Sequence, residues 1–162
     1  MAWSASKICT AWLIDTLAQT TAMDIDTDAS IKSALFDNTV TPNQLDTAAH
    51  NAYAGAGGTW ATGGVSDASG WPAAGQALAW GTATRLSTYA AATITFDADD
   101  TVSANNTTTL AAVFGCLVYD DTITTPVADQ GMCYNYFGGT NSVTSGTFTI
   151  VWNASGVLTI AL

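Results

Sequence analysis

The only histidine of the chain, His50, is its most versatile candidate for acid-base chemistry. A hydrolytic site would combine it with an aspartate that orients the ring and with a serine or cysteine nucleophile. The Gly-x-Ser-x-Gly elbow that presents a nucleophilic serine is absent, because the nearest stretch, Gly64 to Ala68, lacks the second glycine. His50 ends a short predicted helix, where an imidazole can meet the last carbonyls. We therefore expect no catalytic residue and no enzymatic activity.

Two clusters of aspartates are candidates for cation binding. The stretch Asp24 to Asp28 has the alternating carboxylates that open a calcium loop, but Ala29 replaces the required glycine and Leu35 the bidentate acid. The stretch Asp97 to Asp100 also lacks a completing ligand. A bound divalent cation is the alternative at both places. We expect solvated aspartates in turns, with no metal site and no cofactor.

Tryptophans could supply a different chemistry, because an indole face matches the apolar C–H groups of sugars. Trp60 and Trp71 stand in a Gly- and Ala-rich stretch from Asn51 to about Gln76. An irregular connection of this length is uncommon in a compact domain and is usually functional or mobile. We predict an ordered excursion held down by its tryptophans, since tryptophans in a Gly-rich loop usually serve as core plugs or interface anchors. We expect their replacement to affect the isolated fold mildly and to harm binding. Sugar binding is an alternative use.

The charge balance restricts the partners. All 13 acidic residues are aspartates, the net charge is -10, and only Lys7, Lys32 and Arg85 are basic. Nucleic acids and anionic membranes both require a cationic face, which three cations cannot form. The expected partners are proteins or neutral ligands, and a surface this poor in charge can be buried against a protein at little desolvation cost.

Length and composition indicate one β-rich domain over residues 1–162. The chain is long enough to bury a core without disulfides, and its hydrophobic residues make up 48% against 10% charged. Thr, Ser, Asn, Gly and Ala must therefore cover much of the surface. Aspartate without glutamate, together with 14 glycines, favours strands and loops over helices.

The cysteines and apolar stretches indicate a reduced chain without a membrane span. Cys9, Cys116 and Cys133 have no CxxC spacing and are predicted to be small buried hydrophobes. The apolar patch from Ile8 to Ile14 is too short for a secretory signal and is followed by Asp15. No run is long enough to cross a bilayer.

A central strand organises the predicted fold. The uncharged run from Leu110 to Tyr119 is closed by two aspartates, which is typical of a strand buried on both faces. The alternating segment Gly146 to Trp152 is predicted as its neighbour. Phe114 and Trp152 are expected in the core.

The remaining elements follow from shorter patterns. Ser6 is predicted to cap a helix from Lys7 to about Ala18, and Thr41 one from Pro42 to His50. Further strands are predicted at Ile31–Phe36, Ala77–Trp80, Arg85–Tyr89, Thr93–Phe96, Gln130–Phe137 and Val157–Leu162, with turns at Gly138–Asn141 and Asn153–Gly156. The predicted architecture is a mainly β, antiparallel β-sandwich with one N-terminal α-helix and a long Gly/Ala-rich excursion.

Several segments together resemble a group of virion structural proteins of tailed bacteriophages, described as capsid decoration, minor capsid or minor tail components. The most specific are FDADD (96–100), VYDDT (118–122) and SVTSGTFTIVW (142–152). The segments KSALFDNTVTPNQ (32–44), GGVSDASGWPAAGQAL (63–78), TITFDADDT (93–101) and VYDDTITTPVADQGMCYNYFGG (118–139) extend the likeness over most of the chain from about Ile31. None of these is a catalytic motif, so the resemblance implies no active site.

The resemblance implies a protein of the outer virion surface, made in the host cytoplasm. A charge-poor β domain fits a capsid decoration, or cement, protein that binds the major capsid protein and stabilises the shell. A symmetric homo-oligomer, such as a trimer at a local three-fold axis, would suit that place. The alternatives are a minor tail component and a carbohydrate-binding module on the virion surface.

Overall fold

The computed structural model describes residues 3–20, 25, 30–80, 86–87 and 92–161, with residues 86–87 described by their backbone alone. Within these ranges the chain forms one α-helix and short or long strands, all paired antiparallel. The elements are β1 Lys7–Ile8, α1 Thr10–Leu17, β2 Ile31–Phe36, β3 Gly64–Val65, β4 Gln76–Ala77, β5 Leu86–Ser87, β6 Thr93–Phe96, β7 Thr101–Val102, β8 Thr108–Asp120, β9 Gly131–Gly146, β10 Thr149–Ile150 and β11 Leu158–Ala161. The fold is mainly β with one helix, which confirms the predicted class.

The largest sheet has the order β1-β9-β8-β2-β3, and β4 also pairs with β2. In this sheet β2 runs beside β8 from the pair Ile31/Asp120 to the pair Phe36/Gly115. Two smaller sheets, β10-β7 and β11-β6-β5, accompany it, giving a sandwich-like arrangement that is not closed. The core lies against the main sheet and is richest where β2, β8 and β9 run side by side.

The predicted central strand is confirmed as β8, with one correction. Its second half, from Cys116 to Asp120, is buried, whereas Ala111 and Ala112 are exposed and Phe114 is only half-buried. Phe114 was expected in the core, but the first half of β8 has only one buried face. Asp120 ends the strand as predicted, because its Oδ1 accepts a hydrogen bond from Thr122 N at 2.9 Å.

The predicted turn at Gly138–Asn141 is a bulge inside β9. Val113 pairs with Asn141 and Gly115 with Tyr136, so two steps along β8 face five along β9. The extra residues bend the strand without reversing it, and Gly138 provides a φ of 80° that other residues rarely adopt. The strand therefore continues to Gly146, well past the predicted end at Phe137.

The pairing of the last strands differs from the prediction. The alternation of Gly146–Trp152 is confirmed, since Ile150 is buried and Phe148 and Trp152 are half-buried between exposed neighbours. However, β10 pairs with β7 instead of the central strand, and β11 pairs with β6. Asn153–Gly156 is therefore not a hairpin loop. Strand alternation encodes which face is buried, but the choice of partner depends on distant residues.

The N-terminal helix is shorter than predicted. Lys7 and Ile8 pair with Tyr134 and Cys133 as strand β1, and Cys9 is still extended at φ -71° and ψ 116°, so the helix starts at Thr10. Ser6 does not cap it, because Ser6 Oγ accepts a hydrogen bond from the backbone N–H of Tyr136 at 3.0 Å. Lys7 and Ile8, which the sequence pattern predicted as the first helical turn, thus pair with the edge of β9 instead.

The helix predicted at Pro42–His50 is replaced by turns. Asn43 Oδ1 accepts a hydrogen bond from Leu45 N at 3.1 Å, and Asp46 Oδ1 accepts one from Thr47 N at 3.0 Å. Short polar side chains that bond to nearby backbone in this way compete with helical hydrogen bonds. The segment therefore folds as successive Asx-type turns.

The Gly-rich excursion belongs to the core, contrary to the prediction that its tryptophans serve an interface. Trp71 is 0% exposed and Trp60 is 2% exposed. Trp71 Nε1 donates a hydrogen bond to Ser33 O at 3.0 Å, and the Trp60 ring lies 4.9 Å from that of Phe36. Both tryptophans therefore fasten the excursion onto β2.

The three cysteines are buried and free, as predicted. Burial raises the pKa of all three thiols, that of Cys116 to about 12. They are protonated at neutral pH and serve as small core residues. No described helix is long and apolar enough to cross a membrane.

Candidate interface groove

A groove of about 520 Å³ lies between β9 and the segment that contains β10. We call it the neutral groove. Its lining consists of Ser6, Asn135, Tyr136, Phe137, Asn141, Phe148, Thr149, Ile150, Val151, Trp152, Asn153 and Gly156. A second cavity of about 570 Å³ lies beside it and shares four of these residues, Ser6, Asn135, Asn153 and Gly156. This volume is in the range of ligand-binding clefts.

Two aromatic side chains of the neutral groove are held by tryptophans of the core. Tyr136 stacks on Trp3, with ring centroids 6.3 Å apart and an angle of 22° between the planes. Phe148 meets Trp71 edge to face, with centroids 5.6 Å apart and an angle of 88°. Because both rings rest on buried partners, they are fixed before any ligand arrives, which lowers the entropy cost of binding.

A further aromatic side chain of the groove, Trp152, is held by polar contacts. Its Nε1 donates a hydrogen bond to Thr101 Oγ1 at 3.0 Å, and its backbone N–H donates one to Asp100 Oδ1 at 3.3 Å. Trp152 was expected in the core and is instead half-buried in the groove wall. These contacts orient the indole while leaving part of its surface open.

The neutral groove lacks charge. Among its lining residues none is charged, and the second cavity adds only Lys7. Residues 130–162 contain no charged side chain at all, in a chain of net charge -10. The sequence analysis noted a low charge for the whole surface but missed that these last 33 of the 162 residues carry none. The charge-free run from Gln130 to the end was the signal that could have shown it.

His50 does not form a catalytic site with the residues that the structure describes. Its Nδ1 lies 3.1 Å from Asp46 Oδ1, and Asp46 Oδ2 accepts a hydrogen bond from Thr59 Oγ1 at 3.1 Å. The imidazole therefore contacts a carboxylate in place of the helical carbonyls that we predicted. Partial desolvation opposes the charge on Asp46, but bonds from Thr47, His50 and Thr59 hold the pKa of Asp46 below its usual value. Through the Asp46 carboxylate, this hydrogen-bonded group links the turn that contains His50 to Thr59.

The acidic clusters have structural partners where they are described. Of the stretch Asp24 to Asp28, only Ile25 lies within the described residues, so the predicted calcium-like loop lies outside them. In the second cluster Asp97 Oδ1 accepts a hydrogen bond from Ala98 N at 2.9 Å, and Asp100 holds Trp152. The described part of the chain contains no group of three or more His, Cys, Asp or Glu side chains placed to bind a metal.

The carboxylate of Asp67, a residue of the excursion that sequence reasoning passed over, accepts several hydrogen bonds. Its Oδ2 accepts a bond from Thr109 N at 2.7 Å, and its Oδ1 accepts bonds from Ser69 N at 3.0 Å and Gly70 N at 3.2 Å. The bond from Thr109, followed by those from Ser69, lowers the pKa of Asp67 to about 2. The signal was the order Asp-x-Ser-Gly, which favours an Asx turn.

A second exposed apolar area lies on and beside α1. Ile14, Leu17 and Leu45 are each more than half exposed, and Thr10 N donates a hydrogen bond to Gln44 O at 2.9 Å where the helix meets the turn. Three isolated aliphatic side chains are ordinary for a protein surface. The neutral groove, which has fixed aromatic walls and no charge, is therefore the stronger candidate interface.

Comparison of the chain with protein-family models, with curated proteins and with solved structures gives no match.

Proposed function

We propose that this protein is a capsid decoration protein that binds the outside of a bacteriophage head and stabilises the shell. The observation that carries the proposal is the division of charge in the fold. The aspartates lie on other elements, whereas the neutral groove and the sequence around it carry no charge. A decoration protein needs such a division, because one face must be desolvated against the shell while another keeps the particle soluble.

An external position suits the acidity of the chain. Packed DNA inside a head would repel a protein of net charge -10, while outside the same aspartates face solvent. On a shell, many copies make equivalent contacts, so modest affinity per copy is enough to clamp neighbouring subunits. A homo-oligomer at a symmetry axis of the shell would strengthen this further.

Particle composition and stability test the proposal directly. Particles that contain the protein should carry it in numbers comparable with the major capsid protein. Particles assembled without it should release DNA at a lower temperature, and adding the purified protein back should restore the wild-type value. If the protein is scarce and heads without it melt normally, the decoration function is wrong and a minor tail component is supported instead.

A carbohydrate-binding module is the second candidate, favoured by the three fixed aromatic side chains of the neutral groove. Indole and phenol rings beside the amides of Asn135, Asn141 and Asn153 offer both stacking and uncharged hydrogen bonding to a neutral sugar. A glycan array probed with the purified protein tests it. Binding that is lost in Trp152→Ala, together with normal particle stability, would favour this function.

We further propose that the protein has no enzymatic activity. His50 contacts Asp46, and no serine or cysteine lies in the hydrogen-bonded group around them in the described structure. The variant His50→Ala should therefore leave particle assembly and infectivity near wild type. Loss of a measurable hydrolytic activity in His50→Ala would contradict this.

A further inference from the structure

The free edge of β10 faces the neutral groove. In an antiparallel pair, residues alternate between those bonded across the ladder and those that point away from it. Ser103 N donates a hydrogen bond to Phe148 O at 2.8 Å. The backbone N–H and C=O groups of Phe148, Ile150 and Trp152 therefore point towards β7. The N–H and C=O groups of Thr149 and Val151 consequently point the other way, and both residues line the groove. No described hydrogen bond uses these backbone groups.

The opposite wall of the groove is formed by β9, whose outer edge is already in use. Cys9 N donates a hydrogen bond to Met132 O at 2.8 Å, which places the backbone of Met132, Tyr134 and Tyr136 on the outer edge of β9. Strand β1 pairs with this edge at Cys133 and Tyr134, and Cys9 extends the contact to Met132. At Tyr136 the hydroxyl of Ser6 takes the N–H that a further strand would otherwise bind. Among the described residues, the β9 edge beside the groove is therefore occupied by β1, Cys9 and Ser6, whereas the β10 edge is open to a further strand.

The side chains along the β10 edge do not protect it. Natural edge strands are usually blocked by charges, proline or an inward-facing lysine. Here Val151 is 73% exposed, its neighbours are Thr, Ile and Trp, and the groove offers no charge. A basic segment would be drawn to the aspartates elsewhere on the molecule, and an acidic one would be repelled by them. The fitting occupant is an extended segment without charge.

We propose that the neutral groove accepts an extended, uncharged segment of the shell protein, which adds a strand to β10 through the backbone of Thr149 and Val151. This inference rests on the proposed decoration function and names its contact. Backbone hydrogen bonds would supply affinity, while Tyr136, Phe148 and Trp152 would form the walls that receive alternate side chains of the segment.

The test uses the purified protein and two probes. The first probe is a set of overlapping peptides, each about eight residues long, that covers the major capsid protein of the particle. The second probe is the particle stripped of this protein. Fluorescence anisotropy should find one uncharged peptide that binds, and the same peptide should compete with particles. Two further versions of that peptide are N-methylated at every second residue, one at the odd and one at the even positions. Strand pairing requires that one of the two loses binding and the other keeps it.

Val151 supplies a matched pair of variants. Val151→Pro removes the outward N–H while leaving the bonds to β7, and proline is tolerated at such edge positions. It should weaken both peptide and particle binding by about tenfold or more, whereas Val151→Ala, which keeps the N–H, should weaken them by less than about threefold. Thermal melting of both variants checks that the fold survives. If Val151→Pro does not fold, the N-methylated peptides alone decide.

The outcomes separate this inference from the decoration function. If the wild-type protein binds particles but no peptide does, or if Val151→Pro binds them as well as Val151→Ala, strand addition is wrong and decoration stands. If the protein binds neither particles nor peptides, both are wrong. Neutral oligosaccharides, or a second copy of the chain detected by sedimentation, occupying the groove in place of the peptide would also overturn it.

Discussion

Two aromatic regions of the molecule use their tryptophans in opposite ways. In the Gly-rich excursion, Trp60 and Trp71 are fully buried and pack on β2, while in the segment around β10 Trp152 is half-buried in the wall of a groove. The sequence suggested the reverse, because a strand pattern implies a core and a glycine-rich loop implies a surface. The comparison teaches that a chain rich in glycine can lie flat enough on a sheet for its few large side chains to become core.

Close backbone approach explains how the excursion achieves this. A Cβ atom built at Gly75 would lie 2.3 Å from Ser33 O, and one at Gly70 would lie 1.9 Å from Thr108 Oγ1. Only glycine can therefore bring these parts of the excursion against β2 and β8. Around β10 the large side chains Phe148, Ile150 and Trp152 instead line the neutral groove, whose opposite wall is formed by β9.

The largest expected effect comes from removing a tryptophan of the excursion. Trp71→Ala should reduce the free energy of unfolding by about 3 to 5 kcal/mol, because it leaves a large cavity and deprives Ser33 O of its donor. Trp60→Ala should cost a similar amount. Urea denaturation followed by circular dichroism measures both. A loss below that of Trp152→Ala would mean that the excursion is an interface, as its composition suggests.

A glycine of the excursion gives the next largest effect. Gly70→Ala should cost about 1 to 3 kcal/mol, since its Cβ would overlap the side chain of Thr108 and force the loop away from β8. Gly64→Ala is the matched control, because no heavy atom lies within 4 Å of the Cβ built there. Equal unfolding free energies for the two variants would show that the loop does not depend on close contact with β8.

The groove side of the comparison predicts a smaller loss of stability. Trp152→Ala should cost about 1 to 2 kcal/mol, because the ring is only half-buried and one hydrogen bond to Thr101 is lost. The same variant should lose most of its binding to stripped particles, whereas Trp71→Phe, which keeps a core ring, should retain it. Strong destabilisation with unchanged binding would remove the distinction between the two regions.

Local patterns in the sequence predicted much of this fold. They identified β2 and β6 with their observed ends, the central strand, and the buried cysteines. They failed where a distant contact decides. Lys7 and Ile8 become a strand because β9 offers an edge, and the turns at Pro42–His50 replace a helix because side chains bond to nearby backbone.

The candidate site was less predictable than the fold. Its aromatic residues were visible as an alternating strand, but the groove exists because β10 pairs with β7 and leaves an edge open towards β9. That pairing joins Thr149 with Val102 and Ile150 with Thr101, which are 47 and 49 positions apart in the chain. No local pattern encodes a partner at such distance, whereas the absence of charge after Gln130 could be read directly.

The smallest expected effect is a change in the pH dependence of stability at Asp67, whose carboxylate ties the excursion to β8. Asp67 has a folded-state pKa of about 2, below its usual value, because Thr109 N and Ser69 donate to its carboxylate. A lowered pKa means that the unfolded chain binds the proton more readily, so the stabilisation is complete above about pH 4 and is lost as the pH falls towards 2. Asp67→Asn should therefore make the melting temperature depend less on pH between pH 4 and 2 than it does in the wild type.

Asp129 is the control for Asp67. Burial and then Asp121 raise the pKa of Asp129, so the effect of Asp129→Asn on the pH dependence of stability should have the opposite sign. A carboxyl titration by NMR that placed the midpoint of Asp67 at or above that of a free aspartate would show that the excursion is not tied to β8 through this residue.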